Sequence, residues 1–244
     1  MSLRPPTPAT PPGPVGSAEP AAGGGERTSG SPDPPAEGGG GSEPAQPLRR
    51  SARQLSLFGV EAADPAPADL AGLLAGPAEL VRMGGTARVS MVVDAAWRVH
   101  VLVAELARRG LRASWLGRVE ERHGVSTSYT TLLAPLAASW LRGTVKRPPL
   151  NFFLNGPRLR LWTAAAGGPE PLGFVLRLDP SDESGWEQVG AALAAIGLPA
   201  VLLDPGAGGP AYRITGRRRL ARLAELVGDR PAAAPPSQWP AAPS

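Results

Sequence analysis

The chain has no cysteine among its 244 residues. Disulfide bonds and thiolate zinc sites are therefore excluded, which fits a reducing compartment. The N-terminus lacks an apolar signal region, and no apolar run is long enough to span a bilayer. These absences predict a cytoplasmic protein without a membrane segment.

The charges are unevenly distributed along the chain. Lys and Arg number 25, almost all Arg, against 21 acids, for a formal net charge of +4. Several acids, including Glu19, Glu26 and Asp33, fall in the first fifty residues, so the remainder of the chain is the more basic part. That asymmetry favours an acidic partner such as nucleic acid.

Large apolar side chains are scarce at both ends of the chain. Residues 1–52 consist mainly of Pro, Gly, Ser, Ala and Glu, and residues 229–244 are rich in Pro and Ala. Such segments bury too little apolar surface to offset the entropy of ordering, so both are predicted to be disordered tails. Residues 53–228 remain between them, enough for a fold with a real core.

A short apolar island, QLSLF, ends the N-terminal tail. It lies in the segment 53–59, which has the composition of a linear docking peptide. The island resembles the motif by which bacterial polymerases and repair proteins bind the DNA polymerase III sliding clamp, and it matches the consensus QL(S/D)LF at all five positions, Gln54, Leu55, Ser56, Leu57 and Phe58. The resemblance implies that Gln54 anchors one end and that Leu57 and Phe58 fill a hydrophobic pocket of the clamp. The alternative is that the island folds back onto the domain as a first strand or staple.

Two parts of the chain match each other. LARRGLRAS, around Gly110, matches LAAIGLPAV, around Gly197, which lies 87 positions later. The triplet TSY, which ends at Tyr129, matches PAY, which ends at Tyr212, 83 positions later. The spacing predicts a duplicated unit of β-hairpin, helix, β-hairpin and helix, over residues 66–145 and 146–228.

The expected elements differ between the two halves. Either two short helices or one helix kinked at Pro77 is predicted over Pro67–Met83, and the first hairpin of the first half is reduced to a strand at Ala87–Asp94. In the second half, Pro157–Ala165 and Gly173–Leu178 are predicted to form a hairpin. The apolar segment Leu132–Gly143, rich in small residues, is predicted to be the helix that pairs the two halves.

This pattern resembles the LAGLIDADG homing endonuclease superfamily, over about Ala68–Gly228. The resemblance implies an α+β fold of two tandem αββαββα units, with a mixed or antiparallel sheet covered by helices on one face. It also implies a pairing helix that ends in an acid followed by Gly, the acid holding the catalytic metal. Here Arg142 precedes Gly143, and LAGLLAGP carries Gly76 and Pro77 where acids would stand. We therefore expect no catalytic residue, metal or cofactor.

A second resemblance is to the LAGLIDADG-like part of WhiA-type sporulation regulators. ELVRMGGTARVSM, Glu79–Met91, resembles the opening of that domain, and Leu141–Thr144 resembles the end of its second pairing helix. No helix-turn-helix follows Gly228 in this sequence, so recognition of promoter sequences is less expected. A WhiA-like transcription regulator remains an alternative.

Arginines alternate with apolar residues along the predicted strands, which places them on one solvent-facing side. The candidate DNA-binding residues are Arg88, Arg158, Arg160, Trp162, Arg177 and Arg213 on strands, with Arg217, Arg218 and Arg219 at the start of the last helix. Phosphate contacts would supply the affinity. The alternative is an ordinary polar face of an antiparallel sheet.

The sequence as a whole predicts a non-catalytic, nucleoid-associated protein of replication or repair. It would bind duplex DNA on the Arg-lined sheet and be recruited by the sliding clamp. The other hypotheses are the WhiA-like regulator, a structural adaptor without nucleic acid binding, and a residual metal-dependent nuclease.

Overall fold

Two runs of elements with the same order make up the fold. The computed structural model describes residue 59 and the ranges 64–119, 122–204, 206 and 208–242. All of these residues belong to one part of the chain, Ser51–Ser244. The predicted docking residues Gln54–Phe58 and the predicted tail 1–52 lie outside the described residues.

The first run is called here the N-terminal repeat. Its elements are a 3₁₀ turn (Pro67–Leu70), α1 (Ala71–Ala75), β1 (Glu79–Met83), β2 (Thr86–Val93), α2 (Ala96–Arg108), β3 (Ala113–Val119), β4 (Arg122–Thr127), a second 3₁₀ turn (Thr131–Leu133) and α3 (Ala134–Trp140). Gly84, with a φ of 57°, makes the tight turn between β1 and β2 possible. A small hairpin of β5 (Leu141–Arg142) and β6 (Val145–Lys146) follows α3.

The second run is the C-terminal repeat. Its elements are α4 (Gly156–Ala166), β7 (Gly167–Glu170), β8 (Gly173–Arg177), α5 (Glu183–Ala195), β9 (Val201–Leu203), β10 (Ala211–Ile214) and α6 (Arg217–Val227). A 3₁₀ turn at Pro236–Gln238 comes after α6. None of the helices in the described part of the chain is long and apolar enough to cross a membrane.

Each repeat contributes one four-stranded antiparallel sheet. The strand order is β1-β2-β4-β3 in the first sheet and β7-β8-β10-β9 in the second, so the same topology occurs twice. Within the described residues, neighbouring strands of both sheets pair antiparallel. The predicted α+β class with antiparallel sheets is therefore confirmed.

The helices α2 and α5 show how closely the repeats correspond. Each has 13 residues, and their first residues, Ala96 and Glu183, are 87 positions apart. Both are followed by a glycine with positive φ, Gly110 at 71° and Gly197 at 83°. The next residue donates its backbone N–H back into the helix in both cases, over 3.0 Å. The predicted match around these two glycines is confirmed, and it is a helix end of the kind that glycine favours.

The predicted equivalence of Tyr129 and Tyr212 is wrong. Tyr212 lies within β10 and pairs with Leu176 of β8, whereas Tyr129 lies beyond the end of β4. In the first sheet the corresponding position is Val125, which pairs with Met91 of β2. The repeats therefore match in topology here, although the sequence match was displaced by four residues.

The repeats meet where α1 crosses α4. A Cβ atom on Gly72 of α1 would lie 1.8 Å from the carbonyl oxygen of Arg158 on α4, so only glycine allows this approach. The prediction that Leu132–Gly143 is the pairing helix is wrong, because α3 ends at Trp140 and packs on β1 and β2 of its own repeat. The small residues of α3 indicated a close contact between helices, but it is Gly72 of α1 that makes this contact.

Two predicted elements were assigned to the wrong type. The predicted helix Pro67–Met83 ends at Ala75, and Glu79–Met83 is a strand, so the first hairpin is complete and not reduced. Pro157–Ala165 is helical, and the hairpin partner of β8 is β7. Asn155 begins α4 by accepting a hydrogen bond from the backbone N–H of Arg158 at 3.1 Å.

A network of buried charged side chains connects the two repeats. Glu105 of α2 accepts from Arg160 of α4 at 2.7 Å and from Arg109 at 2.8 Å, and Arg109 also contacts Asp69 at 3.0 Å. All four side chains are buried. Although burial opposes it, hydrogen bonds from Arg160 and Arg109 hold the pKa of Glu105 below its ordinary value. The network satisfies charges that would otherwise be costly to bury.

The predicted disorder after residue 228 is wrong for the part described. Trp239 is only 4% exposed, its ring lies 5.2 Å from the guanidinium carbon of Arg160, and its indole N–H donates to the carbonyl of Gly228. Pro and Ala dominate the composition of this segment, but a single large aromatic side chain is enough to pack it on the fold.

Candidate nucleic-acid interface

One face of the N-terminal sheet points away from the helices. In β2 the residues Ala87, Val89, Met91 and Val93 are buried, so Arg88, Ser90 and Val92 point to the other side. The strand register places further side chains beside them, namely Glu79, Val81 and Met83 on β1, Gly124 and Ser126 on β4, and Ser114 on β3. This side is called the outward face.

The C-terminal sheet has a corresponding outward face. The hydroxyl of Tyr212 donates to the carbonyl of Trp186 on α5 at 2.6 Å, so Tyr212 points toward the helices. Its neighbours in β10, Ala211 and Arg213, therefore point outward, and the register places Arg177 and Val175 of β8 beside them.

The arginines of the two outward faces differ in the side chains that they contact. Arg88 lies with its guanidinium carbon 4.9 Å from the ring centre of Tyr129, and it forms no ion pair with a carboxylate among the described residues. Arg213 donates to Glu170 at 2.7 Å, which neutralises its charge locally. The side chain of Arg177 forms no ion pair with any carboxylate in the described part of the chain. Arg88 and Arg177 are therefore the better placed of these three to bind an external anion.

A central cleft of about 580 Å³ lies between the two repeats. Asp94 and Arg122 line it from the N-terminal repeat, and Ala166, Arg177 and Pro210 line it from the C-terminal repeat. Arg122 is exposed and, within the described ranges, has no ion-pair partner. Sequence reasoning missed Arg122, although its alternation with Gly124 and Ser126 along β4 could have indicated its outward direction.

Three of the predicted DNA-binding residues lie on α4 and not on a strand. Arg160 and Trp162 are 8% and 0% exposed, so neither is available to DNA. Arg160 also donates to the carbonyls of Val227 and Asp229 at the end of α6, both over 2.7 Å. Arg158 lies on the helix side, 3.9 Å above the ring of Phe153. The prediction failed because α4 is buried nearly all round, so the alternation of RLRLW carries no information about a solvent face.

Arg217, Arg218 and Arg219 are exposed at the beginning of α6. This helix packs against α4, so these residues are not part of either outward face. Gly216, with a φ of 91°, precedes them, and Thr215 separates it from β10. The structure therefore separates the predicted basic residues into a sheet group and a helix group.

The C-terminal end of α4 is capped by a side chain of the other repeat. Arg98 of α2 is 2% exposed and donates to the carbonyls of Thr163, Ala164 and Gly167 at 3.4, 3.0 and 2.6 Å. Its Nε donates to Asp94 at 2.6 Å. Burial lowers the pKa of Arg98, and the adjacent Asp94 carboxylate opposes that shift.

The end of α1 is capped in a similar way by Lys146, the chain's single lysine. Its Nζ donates to the carbonyls of Gly76 and Ala78, both at 2.9 Å, and lies 2.9 Å from Asp179. Burial would raise the pKa of Asp179, but hydrogen bonds from Ser181 and Lys146 outweigh it and hold that pKa below the ordinary value. The C-terminal ends of α1 and α4 are therefore each capped by a cationic side chain, and each of these cations is paired with a carboxylate.

The arrangement of elements matches solved structures. The homing endonuclease I-WcaI bound to its DNA recognition sequence superposes with a TM-score of 0.51 at 12% identity, over 68% of this chain and 81% of that chain. The fold is LAGLIDADG-like. The N-terminal LAGLIDADG domain of DUF199/WhiA gives a TM-score of 0.48 at 12% identity, over 67% of this chain and 82% of that one.

Full-length DUF199/WhiA from Thermatoga maritima gives a TM-score of 0.49 at 10% identity, over 68% of this chain and 56% of that chain. At such identities the likeness concerns the fold alone. The sequence matches no family model and no curated protein.

The helix ends of this LAGLIDADG-like fold do not suit the metal that the resemblance implies. α1 ends at Ala75 before Gly76, and α4 ends at Ala166 before Gly167, so neither carries the expected carboxylate. Arg142 and Gly143, which the sequence comparison assigned to such an end, belong to the β5–β6 hairpin. A divalent metal needs hard oxygen ligands, and here Arg98 and Lys146 occupy the helix carbonyls and repel a cation.

Proposed function

We propose that this protein binds duplex DNA across its two outward faces without cutting it, and that Gln54–Phe58 recruits it to the sliding clamp during replication or repair. The observation that carries the DNA part is the position of Arg88, Arg122 and Arg177 on the outward faces and in the central cleft. The homing endonuclease with the same fold is bound to its DNA recognition sequence, which supports this placement.

The proposed contacts are mainly electrostatic. A guanidinium group can donate two hydrogen bonds to a phosphate, and each phosphate contact releases counterions from the duplex. Arg88 and Arg177 belong to different repeats, so a duplex that touches both would lie across the central cleft. Arg213 would first have to leave Glu170, and the Arg217–Arg219 group would contribute at longer range. With few cations, we expect moderate affinity and little selection of sequence.

The absence of cutting is proposed from the residues at the two helix ends. Asp94 and Asp179 are the carboxylates in contact with the capping cations, and each is already ion-paired. A residual nuclease would have to detach them from Arg98 and Lys146. A DNA cleavage assay with added Mg²⁺ should therefore give no product.

The recruitment part depends on the five-residue match to the clamp-binding motif. Gln54–Phe58 precede the first described element, Pro67–Leu70, by fewer than ten residues. A docking peptide so close to a DNA-binding fold would hold that fold beside the DNA that passes through the clamp. Of the five residues, Gln54, Leu57 and Phe58 are proposed to contribute most of the clamp affinity.

Duplex affinity at several salt concentrations tests the DNA part. Replacing Arg88, Arg122 and Arg177 together by Ala should weaken binding at least tenfold and reduce the slope of log K against log salt by about 2 to 3. The matched control replaces three exposed arginines away from the outward faces, Arg108, Arg142 and Arg147. Equal losses in the two triple variants would contradict the proposed face.

Clamp binding is tested separately with a peptide of Arg53–Gly59 and with the full chain. The peptide should bind the clamp, and replacing Leu57 and Phe58 by Ala in the full chain should remove binding. Ser56→Ala serves as the control, since the consensus tolerates variation at that position. A peptide without affinity for the clamp would refute the recruitment part and leave the DNA part standing.

A structural adaptor is the second candidate, and one observation favours it. Val81, Met83, Val92 and Val201 are 37%, 58%, 56% and 61% exposed, and by strand register they lie on the outward faces. Exposed apolar side chains of this kind suit a protein partner better than phosphate. An adaptor would show no salt-dependent duplex affinity. A WhiA-like regulator would prefer one duplex sequence over competitor DNA.

A further inference from the structure

An apolar groove opens on the helix side of the fold, away from both outward faces. It measures about 440 Å³ and is lined by residues that include Ala66, Leu132, Leu136, Trp140, Phe152 and Phe153. This helix-side groove lies between the first 3₁₀ turn, α3 and the segment that leads to α4. The proposed DNA-binding function does not use it.

The groove is not filled by the described residues. Leu132 and Phe153 are 52% and 53% exposed although both line it. Arg158 covers one side of the Phe153 ring, and its buried Nε has no hydrogen-bond partner among the described residues. An apolar groove with exposed walls gains stability when apolar side chains enter it.

The chain itself supplies apolar side chains at the right distance. Ala66, which lines the groove, follows Phe58 by eight residues, and eight extended residues reach about 26 to 29 Å. Gly59, which follows Phe58 directly, is buried. A tether this short gives a high effective concentration at the groove, on the order of millimolar.

We propose that Leu55, Leu57 and Phe58 pack into the helix-side groove when no partner is bound. Leu57 and Phe58 are also the side chains that the clamp would bind, so one segment cannot occupy both sites. The groove then keeps the docking segment covered, and the clamp must displace it. This consequence rests on the proposed recruitment function, whereas the intramolecular packing does not.

Disulfide trapping tests the packing directly, because the natural chain has no cysteine. In the full-length S56C/S139C variant one thiol lies in the docking segment and the other in the groove, since Ser139 lines it. The control variant S56C/S114C has its second thiol on the outward face of β3. With oxidised glutathione, the groove pair should close an intramolecular disulfide at least tenfold faster than the control pair.

The additional changes Leu57→Asp and Phe58→Asp should abolish that advantage. Equal rates in the two cysteine pairs would overturn the proposal. A disulfide-linked dimer as the main product of S139C alone would overturn it as well, because it would assign the groove to a second copy of the chain.

Clamp affinity separates this proposal from the proposed function. The full chain should bind the clamp several-fold more weakly than the free peptide, and Leu132→Asp should restore most of the difference. Leu116→Asp is the control, since Leu116 is 63% exposed on a strand of the sheet. If the clamp binds neither chain nor peptide, recruitment fails while the trapping result still decides the packing. Equal affinities of chain and peptide would mean that the segment is not covered.

Discussion

The ends of α1 and α4 face the same electrostatic problem and are capped by different residues. Each end presents backbone carbonyls that lack a partner within the helix and carry partial negative charge. At α4, Arg98 is 2% exposed and donates to three carbonyls, whereas at α1, Lys146 is partly exposed and donates to two. The carboxylates behind them, Asp94 and Asp179, follow β2 and β8 at corresponding positions.

The difference lies in where each cation comes from. Arg98 belongs to α2 and is therefore part of the repeat itself. The position 87 residues later, in α5, is Gly185, so the C-terminal repeat has no side chain there. A Cβ at Gly185 would lie 2.8 Å from the ring of Pro148, next to the hairpin that carries Lys146. The segment between the repeats thus fills the space beside Gly185, and its Lys146 supplies the positive charge that the C-terminal repeat lacks.

The contact between the repeats should be the most sensitive feature. Gly72→Ala places a Cβ against the backbone of Arg158, which cannot move as a flexible side chain can. We expect the free energy of unfolding, measured by urea denaturation, to fall by at least about 3 kcal/mol. Gly85→Ala, with nothing within 4 Å of its Cβ, is the control and should change little. A stable Gly72 variant would mean that the two helices can separate without cost.

Removing the buried cation at α4 should have the next largest effect. Arg98→Met leaves three carbonyls without that donor, so the free energy of unfolding should fall by about 2 to 3 kcal/mol. Arg142→Met, at an exposed position, should stay within about 0.5 kcal/mol of the natural protein. A smaller loss for Arg98 than for Lys146 would reverse the order proposed for the two ends.

Removing the cation at α1 should cost less, because Lys146 makes fewer bonds and lies nearer to solvent. We expect Lys146→Met to lower the free energy of unfolding by about 1 to 3 kcal/mol. Since Lys146 is the chain's single lysine, its reaction with an amine-specific reagent reports on the cap when mass spectrometry of the peptide that contains Lys146 separates it from the terminal amine. Asp179→Asn should speed that reaction, and Asp204→Asn, at an exposed carboxylate, should not. Equal rates in both variants would contradict the role of Asp179.

Acid should weaken the buried charges between the repeats. The folded pKa of Glu105 lies below its ordinary 4.5, so the folded state binds fewer protons than the unfolded state. Its contribution is present above the unfolded pKa and is lost as the pH falls through the folded pKa. Below about pH 5, the free energy of unfolding of the natural protein should fall faster than that of Glu105→Gln, by up to about 1 kcal/mol per pH unit. Parallel pH curves would contradict this role.

The sequence predicted the features that depend on local spacing. Residues near one another in the chain predicted the glycines that end α2 and α5 and the alternation in β2. The duplicated topology was predicted because such local patterns recur at a nearly constant spacing. The type of α4 was missed because a helix buried nearly all round shows no periodic pattern, and RLRLW alternates as a strand would. The wrong pairing helix was chosen because the small residues of α3 outnumber the single Gly72 that makes the crossing.

The candidate site was less predictable, since it depends on distant residues. Arg160 looked like a solvent-facing cation, but its partner Glu105 is 55 residues away. Lys146 caps a carbonyl 70 residues away, a contact that no local pattern indicates. Arg88, Arg177 and Arg213 do lie on the outward faces, because their strands were assigned correctly.

The capping pattern also decides which repeat could pair with a copy of itself. Arg98 reaches from its own repeat to the helix of the other, so two copies of the N-terminal repeat placed face to face would each cap the other's helix. Two copies of the C-terminal repeat, with Gly185 in that place, would leave both helices bare. Of the two repeats, only the N-terminal one therefore carries within itself the cation that a pair of identical copies would need, and Lys146 supplies the missing cap from the hairpin that joins the two repeats.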